Sequence, residues 1–453
     1  MENNQKKVAI IGAGITGLTA AFNLKKENIP FTIFESSSHI GGVIGSHREN
    51  GFLYETGPNS GTISQPEVVD LFDELKGDCT LEVANSASDK RLIWKEGRWH
   101  ALPSGIGGGI TTPLFTMQDK LRILGEPFRK KGTNPNESLA DLVKRRMGKS
   151  FLDYAIDPFI LGIYAGDPSY IVPKYALPKL YNLEQTYGSF IGGAIKKRKE
   201  PKDENAKKAT GKVFSVTGGL EELVKALTQK IGKENISTDC GMLEIKPLKQ
   251  GFEIKGQNIA ETFTHVVSTV NSGQVEKLFP FVGKEALAPI SRLKYARVTE
   301  VAIGFKKWTA MPLDAFGGLI PFRENRNLLG ALFMSTLFKD RAPEGGAMIT
   351  TFVGGMRKAQ LADLKGDELE ALVASEMKII MGLKNFKPDL FKTKSHKWAI
   401  AQYGADSGPR IQAIETIEAK YPGLILAGSM VGGIGMADRI KQGRTIKDRI
   451  AGK

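Results

Sequence analysis

The chain has 453 residues, 41% hydrophobic and 25% charged, with a formal net charge of +14. That length suggests two or three domains of a soluble globular protein, and two cysteines, Cys79 and Cys240, exclude a disulfide framework. No metal site and, from the polar segment Met1 to Lys7, no signal peptide are expected, and no stretch has the ~18 apolar residues of a spanning helix.

The first predicted element is an apolar strand, Val8 to Ile11, running into Gly12-Ala13-Gly14-Ile15-Thr16-Gly17 and a helix with Leu18, Ala21, Phe22 and Leu24 on one face. In such a unit the first glycine permits a tight turn and the second admits a pyrophosphate. The third lets the helix pack closely, with its N-terminus facing the phosphates. A second strand, "PFTIFE", ends at Glu35-Ser36, with Glu35 eighteen residues after Gly17. A carboxylate there accepts hydrogen bonds from a ribose diol and repels a 2′-phosphate, which argues against NADP.

A dinucleotide unit that binds NAD normally continues into another helix. Here "GGVIGSHRENGFLYETGPNS" follows instead. Gly41-Gly42 allows a second backbone approach to the phosphates, "GFLYE" alternates like a short strand, and Gly57-Pro58-Asn59-Ser60 turns the chain back beneath a ring system. These parts in this order resemble the flavoprotein family of amine oxidases, carotenoid desaturases and porphyrinogen oxidases. In that family the corresponding segments wrap FAD in an extended form.

The middle of the chain narrows the resemblance to the porphyrinogen oxidase branch. Asp157-Pro158, "GIYAGDP" (Gly162 to Pro168), "LEQTYGS" (Leu183 to Ser189), "GGAIKK", "LLGALFMSTLFKDRAP" and "TTFVGG" stand in the family's order. "KWAIAQY", with Trp398, is similar to a further family segment in which Ala401 replaces a proline, a departure that leaves the local turn open. The basic run Lys196 to Lys212 has eight Lys and Arg broken by acids and few aromatics, so it reads as a solvated, mobile loop rather than a nucleic-acid surface.

Two later segments are expected to return to the cofactor. "VFSVTGGLEELVKALTQKI" reads as strand, glycine turn and amphipathic helix, followed by strands around Ile236 to Ile245 and His265 to Val270. The resemblance puts a backbone amide of the strand holding Met242 against adenine. "PGLILAGSMVGGIGMADRIKQGRTIKDRI" reads as strand, glycine loop and closing helix. Amides at Ile434, Gly435 and Met436 would face the flavin pyrimidine, where charge builds on reduction.

What the resemblance implies is a discontinuous Rossmann-like FAD domain (1–75, 213–290, 396–453) and an antiparallel-sheet substrate domain (76–106, 189–212, 291–395). A helical insert (107–188) completes this α/β chain. FAD is noncovalent, since both cysteines are far from the C-terminal loop. The substrate is a porphyrinogen: Arg91 pairs a propionate, Leu319, Leu332 and Phe352 clamp the pyrroles, and the Gly166 backbone meets their nitrogens. Taken alone, Arg91 reads as a surface arginine and Leu332 and Phe352 as core; the surrounding motifs reverse that.

No catalytic side chain is nominated, because the flavin N5 takes a hydride from the meso carbon and the pyrrole N–H supplies the proton. Three such rounds, with oxygen regenerating the flavin and yielding hydrogen peroxide, turn porphyrinogen into porphyrin for a ferrochelatase. The expected location is the cytoplasm, with peripheral contact at the inner face of the membrane through the apolar, glycine-rich Leu102 to Phe115. A flavin amine oxidase or a non-catalytic porphyrin-binding flavoprotein are the alternatives. Two or four propionates, protoporphyrinogen IX or coproporphyrinogen III, stay open.

Overall fold

A computed structural model describes residues 6–103, 105–201, 203–257 and 259–453, without the side chains of 105, 106 and 110. Val8–Ile11 is a fully buried apolar strand at the centre of a five-stranded parallel sheet. The order across the sheet is Ile236–Ser237, Phe31–Phe34, Val8–Ile11, His265–Ser268, Leu424–Leu426, so its strands come from three separate parts of the chain. Parallel strands need cover on both faces. One face buries Ile10, Ile33 and Val267 under the helices Ile15–Lys26, Glu221–Ile231 and Met436–Ala451. The other buries Ile11, Phe34 and Val266 under a three-stranded antiparallel sheet, Glu244–Pro247, Phe252–Gly256 and Ile259–Phe263.

The second large unit is a seven-stranded sheet in the order Leu390–Ala401, Tyr295–Phe305, Ala347–Gly354, Leu328–Phe333, Gly317–Leu319, Arg91–Lys95, Arg98–Ala101. It is antiparallel except where Gly317–Leu319 lies parallel to Arg91–Lys95, which with Arg98–Ala101 forms an early hairpin added to the edge of a late sheet. One face packs Val301, Ile303, Phe333, Ile349 and Val353 against the helix Gly366–Met381. The opposite face turns toward the parallel-sheet unit. The strand Leu390–Ala401 shifts register between His396 and Ile400, yet Ala401 still pairs with Tyr295, so this position is ladder here and not a turn.

Several expectations require correction. The helical segment does not stop at 188: Phe190–Lys199 packs on Pro178–Tyr187, and the amides of Phe190 and Ile191 donate to Glu126 at 2.8 and 3.0 Å. Within the basic run, expected as a loop, residues 196–199 end that helix and Glu204–Lys208 form a short one, whose N-terminus Asp203 caps and whose Lys208 meets Asp70 at 2.5 Å; the other described residues of the run are irregular. Met242 is not in a strand. It lies in an exposed bend between Ile236–Ser237 and Glu244–Pro247, a link that must carry the chain from one sheet to the next. The segment Leu102 to Phe115 lies partly outside the described residues (Ser104 and the Ile106 and Ile110 side chains). Its Leu114 and Phe115 are buried against Ile93 and Tyr154, which withdraws them from any bilayer.

Candidate functional site

The phosphate loop begins at Gly12, whose φ of 106° is left-handed and whose Cβ position would meet Thr269 Oγ1 at 2.8 Å. At Gly17 a Cβ would lie 2.1 Å from Gly12 O, so only glycine lets the helix Ile15–Lys26 approach the strand. A Cβ at Gly14 would meet nothing within 4 Å, leaving open space at the N-terminus of that helix. Backbone amides at the start of that helix therefore face open space, an arrangement suited to an anion.

The second glycine pair closes on the first. Gly14 and Gly41 form a parallel bridge, Gly41 N donates to Ala13 O at 2.9 Å, and a Cβ on Gly42 would stand 3.1 Å from Gly14 Cα. Glu35 Oε2 accepts from Ala13 N at 2.9 Å, while Oε1 accepts from Ser37 N and, at 3.2 Å, from Ser36 Oγ. The carboxylate is thus held at the mouth of the loop. Asp239 and Cys240 donate backbone N–H groups to Ser37 O and Glu35 O, so the bend carrying Met242 begins beside this acid, with the Met242 side chain in solvent.

The remaining cofactor candidates come from distant segments. Gly57 fits against Val43, whose carbonyl a Cβ would strike at 1.9 Å, and this fixes the loop Gly57-Pro58-Asn59-Ser60 over the Gly41-Gly42 turn. The helix Met436–Ala451 packs on Ile15–Lys26, where a Cβ on Gly443 would strike Thr19 Oγ1 at 2.1 Å. That contact sets the N-terminal Ile434, Gly435 and Met436 beside the phosphate helix. Trp398 stands apart from the loop, 43% exposed and packed near Gly273.

Sequence reasoning missed the residues that hold the glycine loop before that helix. Tyr403 Oη lies 2.8 Å from both Ser429 O and Gly433 O, which share its single proton, while Arg410 Nε donates to Met430 O at 3.0 Å and Arg439 Nη2 to Val431 O at 3.0 Å. Tyr403 ends the KWAIAQY segment, whereas no local pattern marks the two buried arginines as anchors of loop carbonyls.

The opposite face of the seven-stranded sheet is covered at its centre, where Ala302 and Met348 pack with Phe52 and Tyr54. Side chains registered opposite one another share a face. Phe352 lies opposite Glu300, Thr350 opposite Ala302 and Leu332, Leu332 opposite Gly317, and Gly317 beside Arg91. Leu319 lies beside Ile93 on that face, and Gly162 of the helix Asp157–Tyr164 packs on its side chain. Leu319, Leu332 and Phe352 are half-buried, and Arg91 is exposed at the edge with its guanidinium 5.4 Å from the Phe316 ring centre. The structure thus brings Arg91, Leu319, Leu332 and Phe352 to one apolar face.

Gly166 is placed at the end of that face. Ala165, at a left-handed φ of 44°, closes the helix; Met356 N donates to Ala165 O and Gln402 Nε2 to Tyr164 O, each at 2.8 Å. A Cβ at Gly166 would lie 2.7 Å from Gln402 Oε1, so the buried turn has no room for a side chain.

A dinucleotide cradle facing an apolar sheet defines a flavin-dependent oxidoreductase. The chain matches the family described as flavin containing amine oxidoreductase over residues 15–446 and belongs to it; its cofactor is FAD. It is 30% identical to the mitochondrial protoporphyrinogen oxidase of Nicotiana tabacum over 99% of this chain and 95% of that protein. It is 26% identical to coproporphyrinogen III oxidase of Bacillus subtilis (strain 168), covering 98% and 97%. A crystal structure from Exiguobacterium sp. 255-15, provisionally assigned as a protoporphyrinogen oxidase, shares the fold with a TM-score of 0.84 at 24% identity, covering 99% and 100%.

Proposed function

We propose that this chain is an FAD-dependent porphyrinogen oxidase of heme biosynthesis. It would remove six electrons from protoporphyrinogen IX or coproporphyrinogen III, passing them to three molecules of oxygen to give three of hydrogen peroxide. The observation that carries the reading is the half-buried face of Leu319, Leu332 and Phe352, with one cation, Arg91, at its edge. A broad, nearly apolar macrocycle with carboxylates only on its rim fits such a surface. The names of the two curated relatives add support.

Bound FAD supplies a two-electron acceptor for oxidation at carbon. The chain's own residues bind and orient. The apolar face excludes water from the ring, the Gly166 turn offers backbone to the pyrrole nitrogens, and Arg91 can pair a propionate with a forked geometry. The N-terminal amides of Met436–Ala451 favour negative charge on the bound group. No side chain is assigned as a general base.

The product is planar and poorly soluble, which suits release at a membrane and handover to a ferrochelatase. Among the described residues no helix is long and apolar enough to cross a membrane. The helix Met117–Leu124, however, leaves Met117, Leu121 and Leu124 65–68% exposed, and Phe128 is 92% exposed next to Arg129, Lys130 and Lys131. That surface suits peripheral contact with an anionic inner leaflet from the cytoplasm.

Anaerobic mixing with each porphyrinogen tests the central claim. The flavin band should bleach fully, and admission of air should restore it with about three peroxides per porphyrin, following from six electrons at two per round. Porphyrin binding without bleaching would identify a carrier, and bleaching by amines alone would identify an amine oxidase.

A further inference from the structure

Glu300 sits in the middle of the face just described, opposite Phe352, yet it is only 3% exposed. Its Oε1 accepts a hydrogen bond of 2.6 Å from Asn59 Nδ2, and the same amide nitrogen donates to Gly57 O at 3.3 Å. Both amide hydrogens of Asn59 are therefore engaged. Asn59 Oδ1 is buried and has no partner among the described residues. Thr350 Oγ1, two residues from Phe352 on the same strand face, is a second buried oxygen without a partner among the described residues.

Orphaned buried oxygens are rare because each forfeits a hydrogen bond made in water. These two stand where the Gly57–Ser60 loop meets the apolar sheet face. The loop is locked on its other side, since Glu55 accepts from Arg341 Nη1 at 2.7 Å and His396 Nε2 lies 3.2 Å from Thr56 O. Burial pushes the Glu300 carboxyl up to about 8, against the pull of Asn59 and with Glu55 adding to the rise. Burial thus favours the neutral form of the carboxyl that meets Asn59.

We propose that Glu300 is a positioning residue that holds the Asn59 carboxamide with Oδ1 free to accept a ring N–H from the molecule bound against this face. Both available molecules carry such a donor: the flavin on its pyrimidine ring and at reduced N5, the tetrapyrrole on its pyrroles. The inference rests on the proposed function for the second donor, and on FAD binding alone for the first.

Glu300→Gln keeps an acceptor for Asn59 Nδ2, whereas Glu300→Leu removes it at similar volume. FAD release from diluted holoenzyme, followed by flavin fluorescence, reads the flavin donor. Quenching of protoporphyrin IX and coproporphyrin III by the holoenzyme reads the pyrrole donor. E300L should weaken one of the two by about tenfold, the value of one ordinary hydrogen bond, and E300Q should recover most of that loss; the arm that moves identifies the donor.

E300L and E300Q behaving alike in both arms, whether both normal or both impaired, would overturn the proposal. Should E300L not fold, Asn59→Ala must reproduce the same single-arm loss with Glu300 intact, and an N59A protein normal in both arms would be equally fatal. A wild-type holoenzyme that binds neither porphyrin rejects the functional reading, while the FAD arm still decides Glu300.

Discussion

Arg91 separates recognition of a substrate from the flavin machinery, because it stands exposed at the start of a strand of the seven-stranded sheet, in a different unit from the glycine loops. If its guanidinium pairs a propionate, Arg91→Ala should raise KM and lower kcat/KM by roughly one to two decades, the worth of a charge-assisted contact. FAD content should stay unchanged. Arg91→Lys should recover only part, lacking the fork. Methyl esters of the propionates should harm the wild type and spare R91A; equal sensitivity would return Arg91 to an ordinary surface role.

Glu300 makes an opposite kind of prediction, about stability. Its carboxyl titrates near 8 in the fold, against 4.5 for an unperturbed glutamic acid. Between those values the unfolded chain releases the proton and the folded chain keeps it, so this group's contribution is full below about 4.5 and is lost as pH rises to about 8. Glu300→Gln should remove that slope. Thermal melts of holoenzyme at pH 5 and pH 8.5 should show the variant gaining on the wild type at the higher pH; parallel melting curves would mean that Glu300 is ionised throughout.

Among the elements, the helical segment shows how a polar core can hold helices in place. Arg146, fully buried, donates to Glu126 Oε1 at 2.5 Å and Glu184 Oε1 at 2.8 Å, while Ser189 Oγ donates to Glu126 at 2.7 Å. Arg145 adds a second pair to Glu184 at 2.9 Å, so two acids and two arginines from three helical stretches satisfy one another, which a buried ion network requires to be tolerated at all. This frame presents the helix Met117–Leu124 outward with its apolar side chains exposed. Leu121→Glu with Phe128→Glu should therefore cost no stability but reduce cosedimentation with vesicles containing anionic lipid severalfold, since each loses apolar burial and adds repulsion. Unchanged cosedimentation would leave that helix an ordinary solvent face.

Taken as one object, the chain builds its cofactor unit from three separated segments, with Leu424–Leu426 completing a sheet begun by Val8–Ile11. A ligand lying across those segments stabilises all of them at once. FAD at a hundred times its dissociation constant should add about 2.7 kcal/mol by mass action. Melting temperature should rise with FAD concentration and fall on removal of the cofactor; a melting temperature indifferent to FAD would mean that the cradle forms no site spanning the sheet.

The order of chemistry along the chain was legible in advance where it depended on neighbours. Gly12, Gly14 and Gly17 take their meaning from spacing of a few residues, and Glu35 from the strand that ends beside it, so periodicity and local geometry sufficed. The apolar strands and the amphipathic helix Glu221–Ile231 were readable for the same reason. Contacts across long separations were not. Asn59 meets Glu300 across 241 positions, and Arg439 and Tyr403 earn their place only once the loop Gly428–Gly435 has folded over them. Nor did composition reveal that Leu114 and Phe115 turn inward while Phe128 turns outward. Local patterning specifies which elements form; which buried oxygen is left unpaired, and which face stays open, depends on how those elements pack.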